Sequence, residues 1–219
     1  MPSSDPSTPE LERREVDGAP AGLVLVLHGG KEHGLDPVGS RSGSWRRARW
    51  MTSQITGRAH RAGVSLWLLR YRHQGWNAGV GEPSPVPDAR WALETARREL
   101  AGVPVVLLGH SMGARTAAAV ADDPAVTGVV ALAPWLPADE PVSALAGKHL
   151  AAAHGSRDKI TSSRRTEEFV RRAEDVAASV EFHDMGQVGH YMLRGIPRWN
   201  AFAIDRSLAF LSGRRRRLQ

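Results

Sequence analysis

Short runs of consecutive apolar residues recur along the chain, and glycine or polar residues end each one. Runs of this kind are typical of strands that are buried on both faces of a parallel sheet. They predict strands over six segments: Leu23–Leu27, Val64–Tyr71, Val103–Leu108, Val126–Ala133, His149–Ala153 and Val180–His183.

Segments with apolar residues at helical spacing lie between these strands. They predict helices over Trp45–Arg61, Asp88–Leu100, Met112–Ala121 and Ser163–Ala177, and a last helix that begins at Pro197. Asp88 is expected to cap the second helix. Alternation of strand and helix along the chain requires crossover connections and a sheet covered on both faces. We therefore expect an α/β fold with a mostly parallel central sheet.

The domain organisation follows from length and local composition. A chain of 219 residues fits one large domain. Residues 1–20 are polar and punctuated by four prolines, so a poorly ordered N-terminal arm is expected. The domain itself is predicted over residues 21–212, and residues 213–219, which include Arg214–Arg217, are expected to form a basic tail.

Composition removes several classes of function. The chain has no cysteine, which excludes disulfides, thiolate metal sites and a cysteine nucleophile. Lysine and arginine number 29 against 23 acidic residues, a net charge of +6, yet the arginines are scattered over the predicted helices and interleaved with glutamates such as Glu94, Glu99 and Glu167. Mixed signs of this kind describe solvated helix faces rather than a nucleic-acid surface. With neither a signal peptide nor a run long enough to span a membrane, a cytoplasmic location is expected.

The sharpest local motif is Gly109-His110-Ser111-Met112-Gly113, between a predicted strand and a predicted helix. In this G-x-S-x-G pattern the serine occupies a tight turn, and the glycines make room for the strained backbone. The turn presents the hydroxyl at a helix N-terminus, where a developing negative charge is stabilised. We interpret Ser111 as a nucleophile. The preceding His110 is expected to be a buried histidine that packs beneath the turn.

A serine nucleophile needs a base and a group that orients the base. Asp158 and His190 both follow predicted strands, in the order serine, acid, histidine that such a site requires. His183 is an alternative base. Asp139 and Glu140 are alternative acids.

Backbone N–H groups must also stabilise the oxyanion. Met112 is one expected donor, and Gly30, in the turn His28-Gly29-Gly30 after the first apolar strand, is the other, with Lys31 the next choice. The remaining histidines show no metal-ligand spacing, so neither a metal nor another cofactor is expected.

Together these motifs, with His154-Gly155-Ser156-Arg157-Asp158 and Gly189-His190, resemble the α/β-hydrolase superfamily over residues 22–211. The resemblance implies an acyl-enzyme formed on Ser111, with His190 as base and Asp158 as its orienting acid. Only about fifteen residues separate Pro134 from His149, where many members of the superfamily insert a cap. A small lidless esterase or thioesterase is therefore expected.

The expected substrates are small to medium carboxylic esters or thioesters. Trp76, Trp135, Lys31 and Tyr191 are candidate substrate-binding residues on the same edge of the sheet. Arg70 and Arg72 could attract an acidic substrate or be structurally paired. The sequence also leaves open an acyltransferase, an amidase, a perhydrolase or a non-catalytic binding protein, and it leaves the oligomeric state undetermined.

Overall fold

A computed structural model describes residues 8–79 and 83–213. Seven strands form one sheet, in the spatial order β1-β3-β2-β4-β5-β6-β7. In chain order they are β1 Glu10–Arg14, β2 Gly22–Leu27, β3 Val64–Arg70, β4 Val105–His110, β5 Val126–Leu132, β6 His149–His154 and β7 Ser179–Asp184. Strands β2 to β7 run parallel, and β1 pairs antiparallel with β3. The expected α/β fold with a mostly parallel sheet is confirmed.

Five α-helices connect or flank the strands. They are α1 Gly43–Arg61, α2 Pro85–Glu99, α3 Met112–Ala119, α4 Ser163–Ala173 and α5 Ile196–Leu211. Each corresponds to a helix predicted from the apolar spacing. Within the described ranges, no helix combines the length and the apolar character needed to cross a membrane.

The sheet is buried on both faces, which explains the continuous apolar runs. Along β2, Leu23, Leu25 and Leu27 belong to a core cluster that also contains residues of α2, α3 and α4. The alternate residues Val24 and Val26 belong to a second cluster that contains residues of α1 and α5. Successive side chains of a strand point to opposite faces of the sheet. When both faces are covered, apolar residues are required at every position, and the usual alternation of apolar and polar residues disappears.

The N-terminal arm is partly ordered, which corrects the expectation for residues 1–20. Residues 10–14 form the edge strand β1, and Leu11, whose register partner on β3 is Leu69, packs against the core. Arg13 of β1 also donates to Glu99 at 2.6 Å. Long-range pairing with β3 therefore orders a segment whose own composition is polar. The rest of the arm before residue 8, and the predicted basic tail from residue 214, lie outside the described residues.

The predicted helix cap at Asp88 is also wrong. Helix α2 begins earlier, at Pro85, and the buried Asp88 accepts hydrogen bonds from the Arg72 backbone N–H and side-chain Nε at 2.8 and 2.6 Å. Arg70 is likewise paired, with Glu10. Both arginines at the end of β3 are thus structurally paired rather than directed to a substrate.

The connection from β5 to β6 contains a single 3-10 turn, Ser143–Leu145, and forms no cap helix in the described part of the chain. The carboxyl ends of β4, β6 and β7 consequently form one open edge of the sheet. Ser111, Asp158 and His190 all follow these ends in the chain.

Candidate active site

Ser111 lies on the turn from β4 to α3, with backbone angles φ 55° and ψ −119°. A non-glycine residue at this φ is strained, and such strain persists only where the surroundings enforce it. A Cβ added at Gly109 would lie 2.5 Å from Ala114 Cα, and one at Gly113 would overlap the Leu27 carbonyl. The two glycines of the motif are therefore required by close backbone approach, as the sequence pattern predicts.

Ser111 and His190 are in direct contact. The Ser111 hydroxyl lies 3.0 Å from His190 Nε2, and the His190 Nδ1–H donates to Asp158 Oδ2 at 2.7 Å. All three side chains are at most a few per cent exposed. The tautomer with its proton on Nδ1 leaves Nε2 free to accept from the serine. The three residues predicted from their order in the chain are thus brought together in hydrogen-bonding contact.

Asp158 is surrounded by donors. Its Oδ1 accepts the backbone N–H groups of Ile160 and Thr161 at 2.8 and 2.9 Å. Its Oδ2 accepts from His190, from His154 Nε2 at 3.1 Å and from the Thr161 hydroxyl at 2.9 Å. Burial raises the pKa of this carboxyl, but the hydrogen bonds, led by those from the two histidines, outweigh burial and hold the pKa well below its ordinary value. Asp158 is therefore a stable anion beside His190.

Two members of this network were missed by sequence reasoning. His154 is fully buried at the end of β6, and its second ring nitrogen contacts the Thr166 hydroxyl at 2.8 Å. Thr161 lies 3.1 Å from His190 Nδ1 as well as contacting the carboxylate. The four-residue spacing of His154 and Asp158, and the three-residue spacing of Asp158 and Thr161, were the available signals.

His110 is buried behind His190, as expected for a histidine that packs beneath the turn. Its Nε2–H donates to the backbone carbonyl of His190 at 3.1 Å, and the two rings lie 5.0 Å apart. Burial, with smaller contributions from the nearby His190 and Arg47, lowers the pKa of His110 to about 3. The ring is therefore neutral, and it positions the His190 loop through one hydrogen bond.

The glycine turn after β2 lies against the Ser111 turn. A Cβ added at Gly30 would lie 2.5 Å from Met112 Sδ and from the Gln74 carbonyl oxygen, so only glycine fits there. The Lys31 N–H donates to the Gln74 carbonyl at 2.8 Å, which leaves it unsuited to an oxyanion. The Gly30 and Met112 amides remain the predicted oxyanion donors.

An open cleft of about 340 Å³ lies over Ser111. Its lining includes Lys31, Ser42, Ser44, Arg47, Gln74 and Tyr191 beside Ser111 and His190. Lys31 and Tyr191 thus lie where a substrate-binding role requires them, and that role stays a prediction.

Trp76 and Trp135 are not among the residues that line this cleft, so their predicted role as substrate-binding residues gains no support from it. Both rings contact the Arg115 guanidinium, at 4.1 and 4.7 Å from the two ring centroids, and Arg115 pairs with the buried Glu140 at 2.6 Å. The indoles therefore cover a buried ion pair.

The alternative acid and base lie elsewhere. Glu140 is held by Arg115, and Asp139 is exposed. His183 contacts Arg198 Nη2 at 3.2 Å and the ring of Phe202. Within residues 8–79 and 83–213, no group of three or more His, Asp or Glu side chains is arranged to hold a metal ion.

Comparison with known proteins gives the family of the chain and agrees with its fold. The model of the alpha/beta hydrolase family matches residues 23–215. No curated protein matches the sequence. A putative alpha/beta hydrolase from Agrobacterium tumefaciens is similar in structure, with a TM-score of 0.71 and 16% identity, covering 94% of this chain and 92% of its own. A serine hydrolase without a lid from Xanthomonas campestris is also similar, with a TM-score of 0.63 and 18% identity, and the match covers 90% of this chain and 88% of that protein. Est1E from Butyrivibrio proteoclasticus, solved with ferulic acid, has a TM-score of 0.66 and 12% identity, and the match covers 93% of this chain and 96% of that protein.

Proposed function

The chain belongs to the alpha/beta hydrolase family, and we propose that it is a serine hydrolase that cleaves carboxylic esters or thioesters of small to medium acyl groups. The observation that supports this most strongly is the contact of Ser111 Oγ with His190 Nε2 at 3.0 Å, backed by Asp158 at 2.7 Å. A cytoplasmic location belongs to the same proposal.

The reaction begins with attack of Ser111 Oγ on the substrate carbonyl carbon, while His190 Nε2 accepts the hydroxyl proton. The tetrahedral intermediate collapses when His190 returns that proton to the leaving alcohol or thiol, and the acyl group stays on Ser111. A water then attacks the acyl-enzyme with His190 again as base, which releases the carboxylic acid and restores the serine. Asp158 keeps the Nδ1–H oriented and stabilises the imidazolium that forms in each half of the reaction.

Backbone amides of Gly30 and Met112 are assigned to the oxyanion. Met112 opens α3, so its N–H has no partner one helical turn earlier and the helix dipole adds to its effect. Each such donor is worth about 3–4 kcal/mol of barrier in comparable sites.

The decisive experiment pairs turnover with covalent labelling. The purified protein should release nitrophenol from 4-nitrophenyl butanoate and should gain the mass of a fluorophosphonate probe at Ser111. Ser111→Ala should lose both, with an unchanged circular-dichroism spectrum. Ser53→Ala, which removes an exposed hydroxyl bonded within α1 at 2.6 Å, is the matched control and should keep both.

Full turnover in Ser111→Ala would refute the proposal. Labelling at Ser111 without release of any carboxylic acid from esters, thioesters or amides would favour acyl transfer. Neither labelling nor turnover in the folded protein would favour a binding protein.

A further inference from the structure

We propose that the natural substrate carries an anionic group near the scissile bond, and that Arg47, with Lys31, binds it. This inference rests on the proposed hydrolase function, because it concerns which substrate the cleft over Ser111 selects. The cleft is a substrate site on the independent ground of the Ser111–His190–Asp158 contacts.

Arg47 is a half-buried cation without a carboxylate. Its guanidinium donates to the Tyr191 carbonyl and lies 5.0 Å from the Tyr191 ring, but within the described residues no acidic side chain lies within ion-pairing distance of it. Arg49, two residues further along the same helix, pairs with Glu12 at 2.6 Å. Burial lowers the pKa of Arg47, and the nearby Tyr191 offsets this lowering only in part. A partly desolvated charge without a counter-ion is costly, and a bound anion would relieve that cost.

Lys31 adds a second positive charge to the same cleft. Its side chain is exposed and makes no ion pair with any acidic side chain that the structure describes. Helix α1 starts at the cleft wall with Gly43 and Ser44, and its first turn contains neither an acidic residue nor a side-chain cap. The partial positive charge of that helix end therefore adds to those of Arg47 and Lys31.

No carboxylate opposes these charges in the lining of the cleft. Asp158 is not in the lining, because it lies behind His190, and its two oxygens are occupied by donors. His110, which also borders the cleft, is neutral because its pKa is lowered to about 3. The remaining polar groups of the wall, from Ser42, Ser44 and Gln74, are uncharged. A substrate in the cleft thus meets a positive field.

Arg47 could instead serve only to hold the His190 loop through the Tyr191 carbonyl. The two roles differ in what they change. A loop tether affects all substrates alike, because it acts on the position of the base. Anion binding affects only charged substrates, and mostly through KM when the bond is made equally in ground and transition states.

The test compares two esters of equal chain length, 4-nitrophenyl hexanoate and the mono-4-nitrophenyl ester of adipic acid. Wild type should show a kcat/KM at least about tenfold higher for the adipate ester, and Arg47→Gln should remove about tenfold of that preference, as expected for a charge-assisted hydrogen bond. Lys31→Gln should remove a smaller part. Arg46→Gln, a neighbouring exposed arginine outside the cleft lining, should leave the preference unchanged.

Competitive inhibition identifies the kind of anion. With the hexanoate ester as substrate and chloride as the ionic-strength control, tighter inhibition by adipate than by inorganic phosphate indicates a carboxylate, and the reverse indicates a phosphate. Either result supports the inference if Arg47→Gln weakens that inhibition.

Equal kcat/KM for the two esters in wild type would overturn the inference while leaving the hydrolase intact. An equal loss on both esters in Arg47→Gln would overturn it in favour of the loop tether. Failure of wild type to hydrolyse either ester or to react with a fluorophosphonate would instead refute the proposed function on which the inference rests.

Discussion

Two clefts of the described structure lie at opposite ends of the sheet strands, and they differ in volume and in the side chains that line them. A cleft of about 820 Å³ lies between the ends of α1 and α5, beside the first residues of β2 and β3. It contains a serine, Ser212, whose hydroxyl donates to the Ala209 carbonyl within its own helix end. The cleft over Ser111 is less than half that volume, at about 340 Å³. There the serine hydroxyl meets an oriented imidazole.

The difference lies in the directions of the strands and not in the available space. All parallel strands end at the same edge, so residues distant in the chain converge there, and helix N-termini add positive potential. At the other end the charged side chains that line the larger cleft are all paired: Arg58 with Asp205, and Arg206 with Glu181 of β7 at 2.7 Å. Among the described residues that line the larger cleft, no charged side chain is therefore left without an ion-pair partner.

The largest expected effect appears when Asp158, beside the cleft over Ser111, is compared with Asp205 of the larger cleft. Asp158→Asn should lower kcat by roughly 10⁴-fold, since an amide favours the wrong tautomer of His190. Asp205→Asn, at the larger cleft, should change kcat by less than about twofold, since the described partner of Asp205 is Arg58 and not Ser111, Asp158 or His190. Turnover of a nitrophenyl ester by the two variants measures both. A comparable loss in Asp205→Asn would show that the larger cleft takes part in the reaction.

The strained turn should not accept a side chain. Gly113→Ala places a methyl group on the Leu27 carbonyl, and we expect it to reduce the free energy of unfolding by about 3 kcal/mol or to abolish folding. Gly39→Ala, where an added Cβ meets nothing within 4 Å, should stay within about 0.5 kcal/mol of wild type. Urea denaturation of both proteins decides this, and a stable, active Gly113→Ala would contradict the close approach of α3 to β2.

Acid should destabilise the folded protein through two buried histidines, His28 and His110. Burial lowers the pKa of His28 from 6.5 to about 4. In the folded protein the neutral ring donates its Nδ1–H to the Gly29 carbonyl at 2.6 Å. Above pH 6.5 neither folded nor unfolded chain protonates this ring. Between about 6.5 and 4 only the unfolded chain does, so stability falls as the pH falls. Each such histidine should lower the free energy of unfolding by about 2 kcal/mol when the pH falls from 7.5 to 5.

Urea unfolding of His28→Asn at both pH values provides the measurement. The variant should lose about 2 kcal/mol less than wild type over that interval, with the remaining loss attributed to His110. The lowered pKa of Asp158 affects the free energy of unfolding only at lower pH, because the ordinary pKa of this carboxyl is 3.8. An unchanged pH dependence in the variant would show that His28 is protonated in the folded protein.

The smallest effect is expected at the ion pair of the larger cleft. Arg58 and Asp205 have side chains that are 45% and 51% exposed, so solvent screens their attraction. Arg58→Gln should change the free energy of unfolding by less than about 1 kcal/mol and leave turnover within twofold. Thermal denaturation and an ester assay together test this. A large loss of stability or of turnover in Arg58→Gln would show that this ion pair matters to the fold or to the reaction.

Much of the fold was accessible from local patterns because each strand and helix carries its own apolar periodicity. The strands β2 to β7 and all five helices were predicted in place. The edge strand β1 was not, since its segment is polar and its order depends on pairing with β3. Trp76 and Trp135 were assigned to the substrate site because loops on one edge contain them. Their rings instead pack on Arg115, a partner that lies on another element.

For this protein, the sequence by itself determined the alternation of elements, the strained Ser111 turn and the order of serine, acid and histidine, because each is encoded within a few adjacent residues or at a strand end. Only the tertiary structure decided which groups meet: His154 and Thr161 at Asp158, Arg115 between two indoles, and Arg47 without a carboxylate at the cleft. These contacts join residues from different elements. Their side chains become neighbours only when the sheet orders its strands and the helices pack upon it.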